Sequence, residues 1–367
     1  MLFRSLAIVL LVGSTLAAQE TSEQFRRLDR NKDGKVTKDE FSAPLFDQID
    51  TDKDDIITAE EDRAFTQRRA AVPGQQQRVP ETIKAELDLP YAGTDNSRQR
   101  LDLYLPKSPK NNKPLPVVVF IHGGAWLAGD KRGGFFTVAP LVESGEYAGV
   151  SIGYRLTGEA IWPSQIHDCK AAIRWLRANS KKYNLDPNKI GVTGESAGGH
   201  LAAMLGTTGD IKELEGELGE HLNDSSRVTC VVDQFGPNDL LAMGGSHNNP
   251  NSPESKLVGG AVQKMQKVAR EASATTHASK DDPPFLLIHG TSDNVVPFNQ
   301  SELLHEALKR VGVESMLVPV TGGGHGNFGT PDVASRMKQF FDKHLLGRDV
   351  SISTEPIKSG EPRRPNG

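Results

Sequence analysis

Four short apolar runs, each ending in a glycine-rich turn that carries a polar or ionisable side chain, constrain this chain more than any other feature. Residues 116–121 run into His122-Gly123-Gly124-Ala125-Trp126, and residues 189–193 into Gly194-Glu195-Ser196-Ala197-Gly198. Residues 285–288 run into His289-Gly290-Thr291-Ser292-Asp293, and residues 315–320 into Gly322-Gly323-Gly324-His325-Gly326. Runs this short and this uniformly apolar are strands buried on both faces, the condition of a mostly parallel sheet covered by helices. Their polar turns then gather at one edge of that sheet.

The rest of the chain from residue 83 to 346 keeps the same rhythm. Strands are expected at 83–89, 100–105, 117–121, 149–154, 190–193, 228–232, 285–289 and 316–320. Helices are expected at 164–180, after Gly198, at 299–311 and at 332–346. Alternating strands and helices imply an α/β architecture whose site lies outside the carboxyl ends of the strands.

The turn around Ser196 is informative because of its setting. A strand precedes it and a helical pattern, His200-Leu201-Ala202-Ala203-Met204-Leu205, follows. Small flanking residues let the backbone make a strained turn that lifts the hydroxyl clear of the sheet. A neutral serine hydroxyl is a poor nucleophile and needs a base, and the base needs an orienting carboxylate. His325 and Asp293 are the candidates. The chain order Ser196, Asp293, His325 is that of an α/β-hydrolase, with Gly123, Gly124 and Ala197 as the expected oxyanion donors. Each remaining histidine has a structural reading. His122 shapes the turn, His289 ends a strand and His200 sits on the helix after Ser196. Glu195 reads as a supporting carboxylate, and Asp168 as an ordinary surface one.

Before this domain stands a small acidic one. Asp29-Arg30-Asn31-Lys32-Asp33-Gly34-Lys35-Val36-Thr37-Lys38-Asp39-Glu40 fits a calcium loop at every ligand position. Asp29, Asn31 and Asp33 offer side-chain oxygens, Lys35 its carbonyl, Thr37 a direct or water-bridged contact and Glu40 a bidentate carboxylate, with Gly34 at the turn. A second loop uses Asp50, Asp52, Asp54, the Ile56 carbonyl, Thr58 and Glu61. Asp55 replaces the turn glycine there, so this site is expected to be weaker or strained. Residues 19–70 therefore resemble an EF-hand pair, all-α in character. They also resemble a dockerin, although glutamate at both final loop positions suits an EF-hand better. The resemblance implies structural calcium and a possible docking partner.

Composition bounds the remainder. With 37% hydrophobic and 25% charged residues and a net charge of −4, the chain is globular and carries no basic face for nucleic acid. Residues 1–18 read as a signal peptide, too short to span a membrane, so the mature protein is expected to be secreted or periplasmic. Residues 71–82 read as a Pro/Gly/Gln linker, and 348–367 as a disordered tail. Cys169 and Cys230 could pair after export, but their helix and strand settings suit buried thiols.

Over residues 83–347 the chain resembles the α/β-hydrolase superfamily, and within it bacterial bifunctional acetylxylan and feruloyl esterases of the hormone-sensitive-lipase-like group. His122-Gly123-Gly124 with Trp126, Gly194 to His200, Tyr154-Arg155-Leu156, Trp162-Pro163, Asp186-Pro187 and Phe235-Gly236-Pro237 carry the resemblance. The fold class is then an α/β-hydrolase preceded by an EF-hand-like domain. The implied activity is a serine carboxylesterase cleaving acetyl or feruloyl esters on polysaccharides, with no cofactor for catalysis. An amidase of the arylformamidase type and a non-catalytic calcium-dependent docking protein are the alternatives. Residues 237–282, where a lid would sit, are polar and lack the amphipathic face a lipase lid needs. Trp126 and Trp162 are read as either pocket lining or core.

Overall fold

The computed structural model describes residues 25, 28–29, 31–41, 46–209 (the side chains of 47, 48, 63 and 66–70 and all of 71–78 excepted), 211–326 and 328–360. The expected signal peptide and most of the expected linker lie outside these residues. The chain divides into two compact units, Met1–Arg78 and Val79–Gly367.

In the first unit, β1 (Lys35–Thr37) and β2 (Ile56–Thr58) pair antiparallel, with Val36 opposite Ile57. These two side chains and Phe25, Phe46 and Ile49 form a small buried core. The helices Phe46–Ile49 and Ala59–Ala70 flank the second strand. This strand pair joins the two loops of the expected EF-hand-like unit, and β-branched Val36, Thr37, Ile56, Ile57 and Thr58 suit it.

The second unit is built on a nine-stranded sheet. Its strands are β3 (Ile83–Pro90), β4 (Arg100–Pro106), β5 (Leu115–Ile121), β6 (Ala148–Ile152), β7 (Leu185–Glu195), β8 (Cys230–Gln234), β9 (Phe285–Gly290), β10 (Ser315–Thr321) and β11 (Ile357–Lys358). They lie in the order β11-β10-β9-β8-β7-β5-β6-β4-β3, antiparallel between β3, β4 and β6 and parallel elsewhere.

Period-two alternation feeds two cores. Val117, Val119 and Ile121 of β5 face one side, with Phe285 and Leu287 of β9. Helices Ser164–Ala178, Ala197–Thr207 and Asn299–Arg310 supply Ile166, Ala172, Leu201 and Leu304 there. Val118, Val232, Leu286 and Ile288 face the other side, where Phe340, Phe341 and Leu345 of helix Asp332–Leu346 pack. Cys169 belongs to the first core and Cys230 to the second, both buried and free, so the sheet itself separates the thiols.

Two segments depart from expectation. A helix at Phe135–Glu143, carrying Pro140, covers Tyr104 and Phe120. The tail is ordered through residue 360, correcting the expected disorder there. Val320 pairs with Ile357 and Thr321 with Lys358, while Ile352 and Ile357 are buried. The edge strand β10 offers unpaired backbone, and two isoleucines suffice to seat the segment on it.

Candidate active site and calcium loops

β7 ends at Glu195 and the next helix begins at Ala197, leaving Ser196 alone at the turn with φ 54° and ψ −121°. No L-residue adopts this conformation without strain, so the surroundings must enforce it. The Ser196 N–H donates to the Gln234 carbonyl at 2.9 Å. Helix and strand meet so closely that a Cβ at Gly198 would stand 2.1 Å from the Ile121 carbonyl oxygen. Only glycine fits there.

The hydroxyl of Ser196 lies 2.9 Å from His325 Nε2, and His325 Nδ1 lies 2.8 Å from Asp293 Oδ2. Because a carboxylate only accepts, His325 carries its proton on Nδ1 and accepts from the serine hydroxyl. Asp293 Oδ1 accepts from the Val295 and Val296 amides at 2.8 and 2.9 Å. Burial would push the Asp293 carboxyl up, but hydrogen bonds from His289, His325 and Val296 more than offset it and hold the group well below the usual range. Phe235, itself at φ 45°, lies edge-on to the His325 ring at 4.9 Å between centroids.

The expected oxyanion loop abuts this set. A Cβ on Gly123 would stand 3.3 Å from Ser196 Cβ and 2.7 Å from the Glu195 carbonyl oxygen, so glycine is what lets the backbone approach the hydroxyl. Ala125 and Trp126 both have positive φ. The turn is held by Leu127 and Ala128 N–H donating to the Gly124 carbonyl, and by Thr157 N–H to the Trp126 carbonyl. His122 Nδ1–H donates to the Gly123 carbonyl at 2.8 Å, the Tyr154 hydroxyl donates to the His122 carbonyl, and burial pushes the imidazole of His122 down to about 4. Trp126 Nε1–H donates to His200 Nδ1 at 3.2 Å, and His200 Nε2–H to the Ala272 carbonyl at 2.7 Å. Burial pushes His200 down to about 4 as well.

Trp126 and Trp162 are 1% and 3% exposed, which makes both core residues rather than pocket lining. Burial pushes the Glu195 carboxyl up, against the attraction of nearby His325. Asp168 is no surface carboxylate: it is fully buried and grips the Arg155 guanidinium in a two-pronged pair, with Gln99 donating at 2.7 Å. Residues 237–282 form short helices that bury Leu240, Leu257, Val262 and Ala269 in the main core. His289 and Phe235 also stand beside Asp293 and His325, a placement that no sequence motif names. The four-residue spacing of His289 and Asp293 about a turn was the available signal.

In the first unit, each loop wraps its backbone around its own acids. Asp29 accepts from the Asp33 and Gly34 amides, Asn31 Oδ1 from Asp33 N–H, Asp33 from Lys35 N–H, and Glu40 from Thr37 N–H. In the second loop Asp50 accepts from the Lys53 and Asp55 amides, Asp54 from Ile56 N–H, and Glu61 from Thr51 and Thr58 N–H. Asp55 takes φ 65°, the counterpart of Gly34 at 84°. Carboxylate oxygens of Asp50, Asp52 and Asp54 all lie within 4.8 Å of one another. Loss of surrounding water, with the charges of Asp54, Glu61 and Asp50, pushes the Asp52 carboxyl up, a repulsion that a divalent cation would relieve. The donor set fits calcium.

Comparison with known proteins follows the same division. The family described as BD-FAE matches residues 101–308, and the family described as EF hand matches 22–45. Esterase LipC of Mycobacterium tuberculosis is 34% identical over 239 residues, covering 63% of this chain and 58% of that protein. A solved carbohydrate esterase from gut microbiota, in truncated form, is 36% identical with a TM-score of 0.68, covering 72% of this chain and 96% of its own. A bifunctional GH43-CE protein of Bacteroides eggerthii is 38% identical with a TM-score of 0.66, covering 71% of this chain and 35% of its own. The chain spans about half the length of the curated relatives it matches.

Proposed function

The chain belongs to the BD-FAE family, and from that premise we propose that it is a serine carboxylesterase acting on short acyl or feruloyl esters of polysaccharides. One observation carries the reading: the unbroken chain of hydrogen bonds from Ser196 Oγ through His325 to Asp293, at 2.9 and 2.8 Å, beside a strained elbow.

In this reading Ser196 Oγ attacks the ester carbonyl while His325 Nε2 takes its proton. Asp293 fixes the imidazole and stabilises the imidazolium that forms. The N–H groups of Gly123, Gly124 and Ala197 receive the oxyanion, each contributing about 2.7–4 kcal/mol in the transition state. The tetrahedral centre then collapses, the alcohol leaves with the proton from His325, and Ser196 holds the acyl group. Water, deprotonated by His325, releases the acid and restores the hydroxyl. Likeness to the carbohydrate esterase and the GH43-CE protein supports a carbohydrate ester as substrate. A polar segment at 237–282 agrees with it, since a lipid substrate calls for an apolar opening surface.

The first unit supplies a structural role. Asp29, Asn31, Asp33, the Lys35 carbonyl and Glu40 would hold one calcium ion, and Asp50, Asp52, Asp54, the Ile56 carbonyl and Glu61 a second. Bound there, calcium neutralises the clustered carboxylates and rigidifies the unit, which can then present a docking face to a partner. The leader-like residues 1–18 support export, where calcium is plentiful. Among the described residues no helix is long and apolar enough to cross a membrane.

The test is a parallel assay of p-nitrophenyl acetate, acetylated xylan and a feruloyl arabinoxylan ester with the full chain and with Ser196→Ala. Turnover of the polysaccharide esters, abolished in the variant, is expected. Hydrolysis of the nitrophenyl ester alone would leave an esterase without this substrate class, and activity surviving in Ser196→Ala would overturn the mechanism.

A further inference from the structure

The triad carboxylate has a second histidine against it. His289, the fifth residue of β9, is fully buried, and its Nε2 lies 3.2 Å from Asp293 Oδ2 and 3.0 Å from the Val296 carbonyl oxygen. Both neighbours are acceptors, so Nε2 carries a proton, directed chiefly at Val296 with Asp293 flanking it. On the far side of the ring, Nδ1 lies 2.8 Å from Ser301 Oγ, at the start of helix Asn299–Arg310. The Ser301 hydroxyl donates to Nδ1 and thereby fixes the tautomer that points a proton toward Asp293.

The consequence for Asp293 is geometric. Residues 293–296 form a tight turn in which the Val295 and Val296 amides clasp Oδ1. The Val296 carbonyl, at the far end of that turn, is tied to His289, which also stands beside Oδ2. One ring therefore anchors the turn at both the carboxylate and the peptide that grips it. His325 and His289 approach the same oxygen, Oδ2, from two elements, so the carboxylate is held in place from each.

We propose that His289 is a positioning residue for the reaction: through its Nε2–H, oriented by Ser301, it fixes the Asp293 turn and so the placement of His325 against Ser196. This rests on the triad reading above. The ring touches no substrate, and its work is done through Asp293. Small displacements of a catalytic group cost about 10²-fold in rate, which sets the effect to look for.

The experiment compares kcat and KM for p-nitrophenyl acetate in His289→Leu, His289→Gln, Ser301→Ala, His289→Leu with Ser301→Ala, and Ser196→Ala. His289→Leu is expected to lower kcat about 10²-fold with KM within about 2-fold, since the ester-binding surface is untouched. His289→Gln, whose amide nitrogen can stand where Nε2 stood, recovers most of that loss. Ser301→Ala lowers kcat less, and adding it to His289→Leu has no further effect, because both act through one ring. Far-UV circular dichroism checks each variant, and if His289→Leu does not fold, the Gln and Ala variants decide. A kcat within 2-fold of the parent in His289→Leu, or equal losses in His289→Leu and His289→Gln, would overturn the proposal. If Ser196→Ala keeps turnover, it is the triad reading that falls instead.

Discussion

At the scale of single residues, strain and burial surround one hydroxyl, that of Ser196. Ser196 sits at φ 54°, Phe235 at 45°, Ala125 at 53° and Trp126 at 57°, four non-glycine residues with positive φ around one site. Such conformations persist only where the fold over-determines them, and they gather where geometry must be held. Asp293→Asn should therefore cut kcat by about 10⁴-fold, because the amide selects the wrong histidine tautomer, and should also lower the melting temperature, because the fold's donors hold the ionised carboxylate. Gly123→Ala should lower kcat by about 10²–10³-fold, as a Cβ 2.7 Å from the Glu195 carbonyl pushes the oxyanion donors away. Ser196, Asp293 and His325 were legible in the sequence because each ends an apolar run, which fixes its location before any contact is known. Asp168 was not legible. A carboxylate on a helix reads as surface unless its partner is known, and Arg155 lies thirteen positions away in a connection without periodicity.

At the scale of elements, that hidden pair has a measurable role. Asp168 ties the segment after β6 to helix Ser164–Ala178 by accepting from the Arg155 side chain and the Arg155 amide. Asp168→Ala leaves the partly buried Arg155 guanidinium only its 3.3 Å bond to the Ser164 carbonyl among the described residues and should destabilise the chain by about 3–5 kcal/mol in urea unfolding. The ordered tail is the other element that composition concealed. The Gly360 N–H donates to the Phe328 carbonyl at 2.8 Å, so the strand pairing at β11 also braces the loop that carries His325. Truncation after Gly347 should lower the melting temperature and reduce kcat more than it changes KM. Strands β5 and β9 and the apolar parts of β7 and β8 were readable because burial on both faces leaves a short apolar run, whereas the polar start of β7, residues 185–189, was not. Helix Phe135–Glu143 was not, since Phe136 is 65% exposed and Pro140 interrupts the pattern. Edge strand β11 has two residues, too few to carry a period.

At the scale of the whole molecule, two conditions should move stability in known directions. His122 and His200 are buried neutral, with protonation pushed from 6.5 down to about 4. The unfolded chain binds these protons more readily, so their contribution is fully present above about pH 6.5 and is lost as pH falls toward 4. The melting temperature should fall steadily through that window. Calcium held in the first unit as proposed would make chelation lower that unit's unfolding transition while the second unit, with its own core, unfolds as before. The most direct test of the central claim is intact-mass spectrometry of the full chain after exposure to a phosphonate ester carrying a nitrophenol leaving group. The account predicts one phosphonyl group per chain, mapped to the Ser196 peptide, absent in Ser196→Ala and strongly slowed in His325→Ala. An unmodified mass, or a label on any other residue, would contradict it.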